Sequence, residues 1–275
     1  MPQSYRCPPE VLALGEDILR ECSDYWDRGI RPADHEGGVE TAMLGTHLFA
    51  DIDPRESSLL LARSNYHAKR LAAHLDRQGI PWLPTRGNGR WNAPKTRKAV
   101  MGLWWLEKQG VIEGGDWPAI LDKLPSKLDG VQVLVHGTKA RFEDDGEKKK
   151  ISRLAFRLNE IEELGATSRL VELIASGRWR PLVEEADRFI EAVERYGYEA
   201  VESPLVRVST IHAAKGMEAD NVLWLTTTSQ EVGRSMETPD GADAERRVSY
   251  VAATRAKHRL IVARERCRNA AEVPV

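Results

Sequence analysis

A five-residue apolar run, Ser58–Ala62 (SLLLA), sets the tightest limit on how this chain can fold. A strand that is apolar on both faces belongs inside a parallel sheet with helices on each side. Ser64 or Asn65 can cap the helix that follows, Leu71, Ala72 and Leu75 share one face of it, and Gly79 stops it. Ile80 to Leu83 reads as the next strand. This strand–helix–strand unit is a building block of α/β folds. Upstream, Pro8 and Pro9 suit a first helical turn, and Leu12, Ile18, Leu19, Cys22 and Trp26 follow a helical period. Val39 to Leu44 is a further strand candidate. Strand signals return at Leu205 to Ser209, Asn221 to Thr226 and Arg259 to Ala263, with a helix from about Asp243 to Arg255 before the last.

Between these ends the pattern becomes helical. Pro94 to Lys108 is one candidate. Lys149 to Leu164 would place Ile151, Leu154, Ala155, Leu158 and Ile161 on one face. Thr167 to Ser176 opens on a capping Thr, and Pro181 to Tyr196 stops at Gly197. Within 129–150, VQVLV resembles a strand and FEDDGEKKK a solvated loop. The expectation is a discontinuous α/β domain, residues 1–92 and 205–275, with a helical insertion over 93–204.

Net charge is only −2, so nucleic-acid binding requires a local basic patch rather than bulk charge. Cys7, Cys22 and Cys267 are scattered, with no CxxC pair, which argues against a disulfide framework or a metal site and for a reducing compartment. No apolar run of about 18 residues is present to span a bilayer. The N-terminal residues have no signal-peptide core. A cytoplasmic protein with no membrane partner is expected.

Two C-terminal stretches carry the chemistry: TIHAAKGMEADNV (Thr210 to Val222) and AERRVSYVAATRA (Ala244 to Ala256). Thr210, His212, Lys215 and Gly216 follow directly on a strand, where hydroxyl, imidazole and backbone N–H groups suit phosphate contact. An ordinary capped loop is the alternative. Arg255, late in its predicted helix, can project toward a phosphate or simply complement the helix dipole. Tyr5 beside Arg6 can stack a base while the guanidinium reaches phosphate. Asp144, Asp145 and Glu147 read as a solvated charge run rather than a Mg2+ site. Gly87-Asn-Gly89 reads as a turn. Lys148 to Lys150 with Arg153 and Arg157 read as a basic, solvated helix stripe.

At these residues the chain resembles the second RecA-like domain of superfamily 1 DNA helicases of the UvrD/Rep/PcrA type. TIHAAKGMEADNV resembles that family's motif V and AERRVSYVAATRA its motif VI. QSYRCPPEVL (Gln3 to Leu12) and LLLARSNYHAKRL (Leu59 to Leu71) resemble the opening of motif IV and the strand and helix after it, in family order. The helical block falls where the family inserts a mobile subdomain. The resemblance implies a RecA-like, P-loop-NTPase-type parallel sheet flanked by helices. It implies that Tyr5 stacks on adenine and that Arg6 and Arg255 reach the γ-phosphate. Glu218 would hold the ribose, with Gly216 in the same loop. Thr210 and His212 would contact single-stranded DNA, and Lys215 would help couple that contact to ATP. Arg63, Ser64 and Asn65 would lie on the DNA track. The AKG form of motif V implies 3′-to-5′ movement.

Met217, Ala219-Asp220 and Ser4 depart from the usual motif residues, and the insertion has no GIG-type hairpin signal. The P-loop pattern GxxxxGK[ST] is missing from the sequence. The resemblance therefore implies ATP and Mg2+ held mainly by an N-terminal RecA-like domain that this chain lacks. Its other partner would be single-stranded DNA or a single-strand/duplex junction. The simplest expectation is the C-terminal half of a longer helicase, inactive alone. The alternative is a stand-alone DNA-binding or regulatory module derived from one.

Overall fold

The computed structural model describes residues 3–86 and 89–265, so Gly87, Asn88 and Cys267 lie outside the described residues. The chain forms two compact units. One joins residues up to Trp91 with those from Glu199 onward, and the other is Asn92–Tyr198.

The first unit is built on six strands. These are β1 (Gly38–Met43), β2 (Ser58–Ala62), β3 (Leu83–Pro84), β4 (Val206–Thr210), β5 (Ala219–Leu225) and β6 (Ala256–Arg264). Their order is β1-β6-β5-β2-β4-β3, and every pair is parallel. All five residues of β2 are buried, as its unbroken apolar run requires of a strand with neighbours on both sides. Helices α1 (Pro9–Arg20), α2 (Asn65–Arg77) and α3 (Pro239–Ala253) flank the sheet. Val11, Leu14 and Ile18 of α1, with Ala252 and Ala253 of α3, pack on Leu59, Leu61, Trp224 and Val262. Alternation along β2 turns Leu60 to the opposite face. Helix α2 packs on β2 and β4 and buries Leu71, Ala72 and Leu75. This mixed α/β sheet is RecA-like in class.

Local chemistry explains where the elements start and stop. Ser64 caps α2 by accepting a hydrogen bond from the His67 N–H at 3.3 Å. The helix ends in a Schellman arrangement. Gly79 has φ +65°, its N–H donates to Asp76, and the Ile80 N–H donates to Leu75 at 3.0 Å. That bond uses the Ile80 amide, and Pro81 has none, so the strand expected at Ile80 to Leu83 starts later, at Leu83. Helix α1 stops at Arg20 rather than running to Trp26, which is exposed. Asp243 accepts hydrogen bonds from both the backbone and the hydroxyl of Ser23 and so draws the chain off the helix axis.

In the second unit, the helix Pro94–Gln109 ends at Gly110 with φ +70°. Thr167 caps Ser168–Ala175 through the Leu170 N–H. The helix expected over Lys149 to Leu164 does not form. Asp144 caps an earlier helix, Asp145–Ile151, so the acidic run is partly helical rather than loop, and Lys148 to Lys150 fall in its last turn. The chain then extends, and Ala155–Arg157 pairs antiparallel with Val111–Glu113. The expected stripe is thus split, with Ile151 and Ile161 buried and Leu154 exposed. Of VQVLV, Val131–Gln132 pairs in a hairpin with Lys127–Leu128, and Leu134 makes an isolated antiparallel bridge to Ala166. The expected helix from Pro181 is also broken. A 3-10 turn over Arg180–Leu182 is followed by Glu185 at φ +67° before Ala186–Tyr196 resumes.

Candidate functional site

Two groups of polar residues occupy opposite edges of the sheet. The first lies where β5 and β6 begin. Glu218 precedes β5, Arg255 precedes β6, and the Ala219 N–H donates to the Arg255 carbonyl at 3.1 Å. Arg6 comes from the other end of the chain. Its Nε donates to Glu218 Oε2 at 2.6 Å, and its Nη1 lies 3.4 Å from the Thr254 carbonyl. Lys257 Nζ takes the other carboxylate oxygen of Glu218 at 2.6 Å. Bonds from Lys257 and then Arg6 hold the Glu218 carboxyl below its ordinary range.

Arg255 is held differently. Its Nε donates to the Val251 carbonyl at 2.9 Å and its Nη1 to the Met217 carbonyl at 3.1 Å. Among the described residues no carboxylate pairs with it. Burial, followed by the neighbouring Arg6 charge, pushes its guanidinium below the ordinary arginine value. A half-buried cation beside a like charge is destabilised until an anion joins it. Arg255 also sits in the turn after α3, one residue past its C-cap Thr254, and not in the helix as expected. The Val251 bond nevertheless ties it to the last turn of that helix, so the helix-capping role and the free cationic edge coexist.

The second group lies where β2 and β4 end. An open cleft of about 760 Å³ has α2 as one wall (Asn65, Lys69), β4 and the start of the next turn as floor (Ser209, Thr210, His212), and Pro84, Thr85 and Arg86 as the far wall. Among the described residues no carboxylate lines it.

The stretch Thr210 to Glu218 joins the two groups. Ala62 of β2 is level with both Thr210 of β4 and Leu225 of β5, whereas Ser58 is level with Asn221. Thr210 is therefore at one edge and Glu218 at the other, seven residues before Leu225 and so about 23 Å away along the strand direction. Only Ile211 to Glu218 makes the crossing, passing β2. Ile211 and Ala214 anchor it in the core shared with α1. Gly216, at φ +87°, supplies a left-handed turn that other side chains rarely adopt.

The structure thus brings Arg6, Glu218 and Arg255 together, and separately Asn65, Thr210 and His212. Tyr5 is 90% exposed near the first group. Lys215 is exposed on the crossing segment. Arg63 forms a two-pronged ion pair with Glu245 of α3, both bonds 2.7 Å, and Ser64 is engaged as the α2 cap. Sequence reasoning missed Lys257, Glu245, Lys69 and Arg86. Glu245 and Lys257 lie in or next to the second motif stretch, but their partners Arg63 and Glu218 are distant in sequence.

Residues 139–266 match the family model of the UvrD-like helicase C-terminal domain. That match supports a C-terminal domain of a UvrD-like helicase over those residues. No curated protein shows significant similarity to it. Among the described residues no helix is long and apolar enough to cross a membrane.

Proposed function

We propose that this chain is the C-terminal motor half of an ATP-dependent DNA helicase moving 3′ to 5′. The sheet unit serves as the second motor domain and residues 93–204 as its insertion. ATP and Mg2+ are held mainly by an N-terminal P-loop domain. The observation that carries this reading is Arg255, half-buried, beside Arg6 and without a carboxylate partner among the described residues. That arrangement fits an anion offered by another domain. When bound, the nucleotide would supply the phosphoryl group. Arg6 and Arg255 would neutralise charge spreading over it, Tyr5 would stack on its base, and Glu218 and Gly216 would border its ribose. At the other edge Asn65, Thr210 and His212 would hold single-stranded DNA or a single-strand/duplex junction, with Arg63 and Ser64 ordering the turn beside them. Lys215 lies on the segment that links the two ligands.

The test is ATP turnover by the 275-residue chain, alone and with a P-loop domain supplied. The expected result is negligible turnover alone and DNA-stimulated turnover on reconstitution. Steady turnover by the chain alone would overturn the proposal. DNA binding with no turnover on reconstitution would favour a stand-alone DNA-binding or regulatory module.

A further inference from the structure

The cleft beside β4 contains two cations that belong to neither motif stretch. Lys69 lies on the second turn of α2, and Arg86 just past edge strand β3. Both are exposed, and neither has a side-chain partner among the described residues. They stand on opposite walls, α2 and the Pro84–Arg86 segment, which the Thr85 N–H fixes to the Val208 carbonyl at 3.2 Å. Uncompensated positive charge on two walls of a cleft free of carboxylates favours a chain of anions running between them.

The floor and walls also indicate which part of a nucleic acid enters. Stacking needs an exposed aromatic face. Trp82, the cleft's one described Trp, Tyr or Phe, is 8% exposed with its indole N–H committed to Asp76 at 2.9 Å, which leaves the small imidazole of His212 as the exposed ring in the described lining. The remaining apolar lining is small: Ala68, Ala72, Pro84 and Val208 are among it. From this we infer that Lys69 and Arg86 form a two-walled clamp on the sugar–phosphate backbone of a single strand, with its bases turned away from the cleft. The inference rests on reading this cleft as a nucleic-acid site. It adds the two clamp residues and a backbone-only mode of recognition.

The experiment is the salt dependence of binding by the full chain to a labelled oligothymidylate and to the same strand carrying abasic sites. Each phosphate contact contributes about 0.7 to the slope of log affinity against log salt for single strands. Lys69→Ala and Arg86→Ala should each reduce the slope by about 0.7, and the pair by about 1.4. Lys69→Arg should restore it, which a purely structural role would not require. The abasic strand should bind as tightly as the intact one. Wild-type binding with slopes unmoved by either alanine variant would overturn the clamp while leaving the cleft's function standing. A large loss of affinity for the abasic strand would overturn the backbone-only mode. No binding of either strand by wild type would overturn the nucleic-acid reading of the cleft itself.

Discussion

The two edges of the sheet both present positive charge, but they hold it in opposite ways. At the start of β5 and β6 the cations are embedded: Arg255 is tethered by two backbone carbonyls, and Arg6 and Lys257 share Glu218. Such groups are pre-set in position and keep little freedom to lose when a ligand arrives. In the cleft at the end of β2 and β4, Lys69 and Arg86 are exposed and have no side-chain partner among the described residues, which suits a ligand that must be gripped and released repeatedly. Rigid placement at one edge and loose, screened attraction at the other are what a nucleotide and a moving strand respectively need.

That contrast can be broken experimentally. The largest effect is expected at the embedded edge. Arg255→Ala, in protein supplied with a P-loop domain, should lower ATP turnover by about a thousandfold or more, the range for arginines that stabilise phosphoryl transfer. Binding of single-stranded DNA should be retained; loss of both together would mean the edges are not separable. Next is the Arg63–Glu245 pair, whose side chains are 23% and 12% exposed. Glu245→Gln should cost about 1.5–3 kcal/mol in urea unfolding, because a partly buried guanidinium loses its charged partner. Ser64→Ala should cost about 1 kcal/mol by uncapping α2. The smallest effect is a pH dependence. Burial, then the Arg70 charge, lowers the pKa of His67 in the folded state. His67 therefore stabilises the fold above its ordinary value of 6.5, and that contribution is lost as pH falls through the depressed folded value. The urea midpoint should drop on acidification below 6.5, and His67→Gln should flatten that drop. His74, shifted the same way by burial, will leave a residual slope.

The sheet was legible because its signals are local. An unbroken apolar run marks β2, and Ser64 and Gly79 bracket α2 through bonds to near neighbours. The second unit misled where pairing is non-local. Nothing near Ala155 announces a partner at Val111–Glu113, and the helical period of Ile151 and Ile161 is met by residues on different elements. In the site, motif spacing pointed to Arg6, Glu218 and Arg255, but the register that sets Thr210 and Glu218 at opposite edges exists only in the assembled sheet. Lys69 lies inside the stretch Leu59 to Leu71 and Arg86 outside every stretch singled out, but neither is marked as a contact residue, since each is an ordinary surface cation until the two walls face each other.

The central claim is that the eight residues from Ile211 to Glu218 make the two edges one device. Gly216 holds the left-handed turn of that segment, with open space around its α-carbon, so a side chain there strains the backbone without filling a contact. The decisive measurement is DNA-stimulated ATP turnover by Gly216→Val in protein supplied with a P-loop domain, alongside separate titrations of nucleotide and single-stranded DNA. The account predicts that single-stranded DNA still binds and that, at saturating nucleotide, stimulation of turnover by DNA is largely lost. Undiminished stimulation with both ligands bound would contradict it.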